Sequence, residues 1–247
     1  MKKTLNLDQR YPYAYETHLH TSNGSACGRN TGDEMAKACK KAGYTGIIVT
    51  DHFFYGNTAI DRSLPWTEWV EGYCKGFELA KKTGDKIGLQ VFFGWEASYH
   101  GTDFLVYGLG KEWLMQHPQI KDATVEEQYQ LVHEAGGMVI HAHPFRKEFY
   151  IPEVRLFPEY VDGVERINAT HVRNFKDQEG ENLFDKCALE YALKNDFPQT
   201  AGSDIHSVDL LGGGMAFSRK LENIQDYITA VIKREGVLLP AKPAFTD

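Results

Sequence analysis

Apolar and polar residues along the chain fall into two alternating kinds of stretch. Short apolar runs at residues 46–50, 89–95, 103–109 and 138–140, and a weaker one at 161–167, have the length and the β-branched or aromatic content of strands. An earlier strand ends in Glu16-Thr17-His18-Leu19-His20. Between the runs lie segments with helical spacing. Met35, Ala38, Cys39 and Ala42 share a face, with Asp33 and Glu34 in the first turn, Lys40 and Lys41 in the last, and Gly43 as the stop. A second helix follows Pro65 and carries Trp69, Val70, Tyr73, Cys74 and Phe77 as far as Gly84. Thr124-Val125-Glu126-Glu127 is a capping box for a third, closed by Gly136 and Gly137. A fourth spans roughly Glu181 to Asn195 with Leu183, Phe184, Cys187, Ala188 and Tyr191 inward, and the last turns Ile224, Ile228, Val231 and Ile232 inward. No repeat or low-complexity linker interrupts this order. It predicts a parallel sheet, and about seven strands suggest one closed or nearly closed α/β barrel over residues 1–247, with an open doubly wound sheet as the competing architecture.

Composition narrows the partners. At 247 residues and 42% hydrophobic content the chain can bury a full core. A net charge of −7 without a basic run argues against nucleic acid or an anionic membrane as partner. No segment approaches the roughly 20 apolar residues of a membrane span. Lys2 and Lys3 are followed by Asn6, Asp8, Gln9 and Arg10, where a signal peptide needs an apolar run. Cys27, Cys39, Cys74 and Cys187 show no C-x-x-C spacing, and three of them fall at apolar helix positions, as reduced core thiols do. The expectation is a cytoplasmic protein.

The candidate chemistry sits where the predicted strands end. Those ends supply His18 and His20, Asp51 and His52, Glu96, either His100 or Asp103, His141 and His143, and Asp204 and His206. Strands of a parallel barrel bring their C-terminal ends to one mouth, so residues far apart in sequence converge. Imidazoles and carboxylates together suit zinc, manganese or iron, and a carboxylate can bridge two ions. A structural zinc site needs only four ligands and more sulfur. Other groups have plainer readings. His141 reads as a support or a hydrogen-bonded core histidine, Asn168 and His171 as substrate-facing, with a turn role as the plainer reading of Asn168, and Gly212-Gly213-Gly214 as a flexible turn in preference to a backbone approach to phosphate. His117 and His133 lie on polar helical stretches, facing solvent.

The ordered series His18-x-His20, Asp51-His52, Gly94-Trp95-Glu96, His143-Pro144 and Gly202-Ser203-Asp204-x-His206 resembles the polymerase and histidinol phosphatase (PHP) family of metal-dependent phosphoesterases. The resemblance spans most of the chain. It implies a distorted seven-stranded (β/α)7 TIM-like barrel of the PHP type, with two or three divalent ions (Zn, Mn or Fe) at the mouth. It places His18, His20, Glu96 and Asp204 around one ion, Glu96 as a bridge to a second that His143 also holds, and His52 and His206 at a third. Two positions depart from the family. Ser25-Ala26-Cys27 stands where trinuclear members have a histidine, and His100, in preference to Asp103, must serve for the histidine after the bridging glutamate. The implied activity is hydrolysis of a small phosphorylated substrate, a histidinol-phosphatase-like monoester. Asp204 or His206 would handle protons, and Arg146 and Arg29 are the candidates to hold phosphate, whose geometry the guanidinium fork matches. A phosphodiesterase or exonuclease, and a non-catalytic metal-stabilised interaction module, are the alternatives. The loops at 53–65 and 148–158 are rich in aromatic residues and carry no readable specificity.

Overall fold

The computed structural model describes residues 4–173, 182–240 and 245–246; Lys2, Lys3 and Glu181 lie outside them. Seven strands follow one another in chain order around a single sheet: β1 (Tyr13–Leu19), β2 (Gly46–Val49), β3 (Gln90–Tyr99), β4 (Thr102–Tyr107), β5 (Met138–Ala142), β6 (Gly163–Asn168) and β7 (Gln199–Gly202). Two short strands, β8 (Met215–Phe217) and β9 (Val237–Leu238), extend it antiparallel beyond β1. The ends nearly meet. Leu19 and Ile205 form a parallel bridge, and the His20 N–H donates to the Ile205 carbonyl at 3.0 Å. A separate two-residue pairing joins Thr4–Leu5 to Phe245–Thr246.

The distorted α/β barrel is therefore present, but its sheet is mixed rather than parallel. β4 runs against both β3 and β5. The cause is local: β3 and β4 are joined through His100 and Gly101, with φ of 51° and 87°, the two left-handed residues that a tight hairpin needs. A reversed strand presents its start, not its end, to the mouth.

Helices α1 (Gly32–Lys41), α2 (Trp66–Tyr73), α3 (Lys75–Ile87), α4 (Lys111–Gln116), α5 (Val125–Glu134), α6 (Leu183–Lys194) and α7 (Ile224–Ile232) cover the sheet. Capping boxes open α1 at Thr31 with Glu34 and α5 at Thr124 with Glu127. The helix expected after Pro65 breaks at Cys74 into α2 and α3, and it runs through Gly84 to a left-handed stop at Gly88. Inward faces differ in detail. Ala36 is buried in α1 with Met35 and Cys39 while Ala38 is half-buried, Leu183 is exposed at the start of α6, and in α7 Tyr227 turns inward while Ile232 is exposed. Tyr15, Met138 and Tyr107 lie toward one end of the barrel, where they pack with Tyr227 and Val231 of α7. That end is closed, so the other carries the polar mouth. No described helix is long and apolar enough to cross a membrane.

Candidate metal centre

Each element delivers its polar residues for a local reason. β1 is buried along almost its whole length, and its register against β2 shifts between Glu16 and Leu19, a bulge-like irregularity of the kind that re-aims side chains at sheet rims. His18 and His20 consequently converge, with 3.1 Å between their Nε2 atoms. Beyond β2 the chain stays beside β3: the Glu96 N–H donates to the Asp51 carbonyl and the Phe53 N–H to the Glu96 carbonyl, which sets His52 next to Glu96. Glu96 is in the middle of β3, not at its end. Its neighbours Trp95 and Ala97 face the aromatic cluster of Phe53, Trp69 and Tyr73, so alternation turns Glu96 to the opposite side. His143 and Asp204 follow the ends of β5 and β7 with φ of 27° and 52°, strained values for residues other than glycine and typical of functional sites.

The side chains meet around Glu96. Its Oε1 is 3.0 Å from His143 Nε2 and 3.3 Å from His18 Nε2, and its Oε2 is 2.7 Å from His52 Nδ1 and 3.6 Å from His20 Nε2. Asp204 Oδ1 is 3.1 Å from His20 Nε2 and 3.6 Å from His18 Nε2. Among the described residues four sets have ligand atoms mutually within 4.8 Å: His18, His20 and Glu96; Glu96, Asp103 and His143; His18, His143 and Asp204; and His20, His52 and His206. The donors fit divalent ions by their own geometry. His52 Nδ1 and Glu96 Oε2 face each other in the interior without forming an aligned hydrogen bond, an arrangement suited to donors that share a cation.

Electrostatics agree. Burial acts to raise Glu96 and Asp204, yet the surrounding imidazoles, with Arg146 beside Asp204, hold both carboxyls well below their ordinary range. Burial, with His206 and His52 alongside, pushes His20 well down, so it is a neutral imidazole with a lone pair to give. Burial opposes ionisation of Cys27 as well, but hydrogen bonds with His206 and His52 bring its thiol down to about 6. Supporting groups fix the rings. His18 Nδ1 is 2.9 Å from Glu165 Oε1, His20 Nδ1 is 3.1 Å from Ser25 Oγ, and Ser25 Oγ donates to Asp51 at 2.7 Å. Such partners set tautomers and leave Nε2 for a metal.

Of the residues singled out in the sequence, the fold brings together His18, His20, His52, Glu96, His143, Asp204 and His206, and Arg146 joins them with 3.2 Å to Asp103 and 3.1 Å to Asp204. Two do not join. His100 is exposed on the hairpin turn, and Asp103, at the start of the reversed β4, takes the place beside His143 and Glu96. The Arg29 side chain is exposed, and what reaches the His206 segment is its backbone N–H. His141 is wholly buried and stacked on Phe104, and neither ring nitrogen has a hydrogen-bond partner among the described residues, so it is an apolar-packed histidine. Asn168 is buried and donates to Glu165, and His171 pairs with Asp185. His133 pairs with Asp162, and His117 stacks on Trp113. The Gly212–214 run packs closely, since a Cβ on Gly214 would lie 2.3 Å from the Tyr15 carbonyl oxygen. Glu165 is the supporting residue not anticipated, and its signal was an acid inside the apolar 161–167 run.

Below the mouth Glu16 is fully buried and accepts from both Ser203 groups and the His18 N–H. Burial pushes its carboxyl up to about 7. The unfolded chain releases this proton near the ordinary 4.5 while the folded one retains it, so stability falls as pH rises through that window, by about 3 kcal/mol in all. Glu16→Gln, which keeps one acceptor oxygen for the Ser203 and His18 N–H groups, turns its NH2 to the Ser203 hydroxyl oxygen and cannot ionise, should flatten this part of the metal-free melting temperature against pH. An unchanged profile would refute the assignment.

Comparison with known proteins places the fold. No family model and no curated protein matches the sequence. Among solved structures, a two-domain protein from Bacteroides vulgatus described as containing a predicted PHP-like metal-dependent phosphoesterase superposes with a TM-score of 0.69 at 13% identity, over 96% of this chain and 68% of that one. A protein from Bifidobacterium adolescentis described as a metal-dependent phosphoesterase gives 0.55 at 15% identity over 90% and 96%. An amidohydrolase from Chromobacterium violaceum, solved with sulfate and no metal, gives 0.54 at 14% over 91% and 98%. The chain thus has the fold of the PHP-like metal-dependent phosphoesterases.

Proposed function

We propose that the protein is a metal-dependent phosphoesterase that hydrolyses a small-molecule phosphate monoester. The observation that carries this reading is Glu96, one buried carboxylate shared by two ligand sets, His18–His20–Glu96 and Glu96–Asp103–His143. A carboxylate so shared suits a bridge between two ions, with Asp204 beside His18, His20 and His143. His20, His52 and His206 would serve a third. Divalent ions in such a set supply Lewis acidity, which makes hydroxide available near neutral pH and offsets phosphoryl charge.

The chain's own groups do the rest. Arg146 lines the cavity over the cluster, its guanidinium fixed by Asp103 and Asp204, and its fork matches two phosphoryl oxygens. His206 Nδ1 lies 2.9 Å from the Asp204 carbonyl oxygen and donates to it, leaving Nε2 to ligate or to take a proton. A net charge of −7 disfavours long nucleic acids as substrates. Phosphate release from a panel of monoesters with added manganese or zinc, beside elemental analysis of bound metal, tests the reading. Turnover of monoesters ahead of diesters, amides and single-stranded DNA is expected; metal bound without turnover would overturn it.

A further inference from the structure

Cys27 stands apart from the other cysteines. Cys39 in α1 and Cys74 between α2 and α3 are buried in apolar clusters, and Cys187 is half-buried on α6. A thiol so placed is a small apolar filler. Cys27 instead borders the cavity over the metal centre, where its thiol hydrogen-bonds with His52 and His206.

The backbone holds it there. Ser25 Oγ accepts from the His52 N–H at 3.0 Å, and the Ala26 N–H donates to the Asn57 carbonyl at 2.8 Å. Beyond Cys27 the Arg29 N–H donates to the His206 carbonyl at 2.8 Å. The chain is thus tied to the segment after β2 on one side of Cys27 and to the segment after β7 on the other. A Cβ on Gly28 would lie 2.4 Å from the Thr21 carbonyl carbon, so the loop is also pressed against the residue that follows His20.

The imidazoles beside this loop form one ligand set. The His20 ring centroid lies 4.3 Å from that of His52 and 4.2 Å from that of His206, with 5.8 Å between the latter two. Glu96 Oε2, wholly buried and without a hydrogen-bond partner among the described residues, lies 2.7 Å from His52 Nδ1 and 3.6 Å from His20 Nε2. A buried carboxylate oxygen left unpaired is unfavourable, and beside imidazoles it marks a place for a cation.

We infer that Cys27 is a ligand of the ion that His20, His52 and His206 hold, and that its sulfur selects the metal taken there. On binding, the sulfur–metal bond forms as the S–H bond breaks, and the proton leaves to solvent. A thiolate among imidazoles suits zinc or cobalt and disfavours manganese and magnesium, which prefer oxygen ligands. The inference rests on the metal centre of the proposed function and not on its reaction.

Cobalt(II) added stepwise to the metal-free protein reads the ligand directly, because a cobalt–thiolate bond gives an intense charge-transfer band in the near ultraviolet. The band is expected in the unsubstituted protein and absent from Cys27→Ser and Cys27→His. Cys27→Ser should bind zinc at this site at least ~10-fold more weakly, the smallest effect expected when a ligand's support is lost. Cys27→His, which returns a nitrogen donor, should restore the zinc stoichiometry without the band. X-ray absorption of the zinc-loaded protein should show one sulfur neighbour at about 2.3 Å. Saturation with cobalt without a band, or a band of equal strength in Cys27→Ser, overturns the inference and leaves the Glu96 centre and the phosphoesterase reading standing. A band that Cys27→Ser removes, in a protein that hydrolyses no ester, supports the sulfur ligand and overturns that reading instead.

Discussion

Glu96→Gln is expected to lower kcat/KM for phosphate esters by ~10³-fold or more and to strip bound metal, while the barrel remains folded. The carboxylate sits among His18, His20, His52 and His143 and serves two ligand sets at once. An amide has no net charge, and its NH2 end would aim a donor where an acceptor is needed, so both sets fail together. The fold survives because the residues that hold β3 in place are Trp95, Ala97 and the aromatic cluster behind them, which the substitution leaves untouched. Elemental analysis, phosphate release and circular dichroism on one preparation check all three parts. Full activity in the variant would refute the central role of Glu96.

Gly202→Ala should damage the site from behind. A Cβ at this position would lie 2.4 Å from His18 Cβ and 2.5 Å from Glu165 Oε1. Neither neighbour can yield easily. His18 is fully buried, and the Glu165 carboxylate is held by His18 Nδ1, the His143 N–H and Asn168 Nδ2. The extra methyl therefore forces His18 and Glu165 apart. Overpacking of this kind costs about 1–3 kcal/mol, and loss of a histidine's carboxylate partner weakens metal binding about 10–100-fold. Thermal unfolding with and without metal, and titration with zinc or manganese, measure the two effects separately. A variant with the original melting temperature and metal affinity would show that the contact relaxes freely.

The convergence of histidines and carboxylates was legible in the sequence because these residues flank strands whose apolar runs are unmistakable: Ile47, Ile48 and Val49 before Asp51-His52, and Met138, Val139 and Ile140 before His143. The exception shows what linear reading lacks. His100 was preferred over Asp103 because a parallel barrel offers strand ends, whereas the tight hairpin at His100-Gly101 reverses β4 and offers its start. The hairpin signal was local, but the residue it exposes depends on register. Arg146 and Arg29 looked alike in sequence, and only the turn after His143 distinguishes them by carrying Arg146 back over Asp103 and Asp204. Glu165 went unremarked because its partner, His18, is 147 residues away.

The barrel's first and last strands meet through the Leu19–Ile205 bridge, and the cluster straddles that seam, with His18 and His20 on one side and Asp204 and His206 on the other. Parting the seam carries the two ligand pairs away from each other. An ion held there would be released as the barrel opens, and would act as a clasp between the two ends of the barrel. By mass action each tenfold excess of free metal over its dissociation constant would add about 1.4 kcal/mol to the closed form, so the stability of the fold would rise and fall with the metal around the protein.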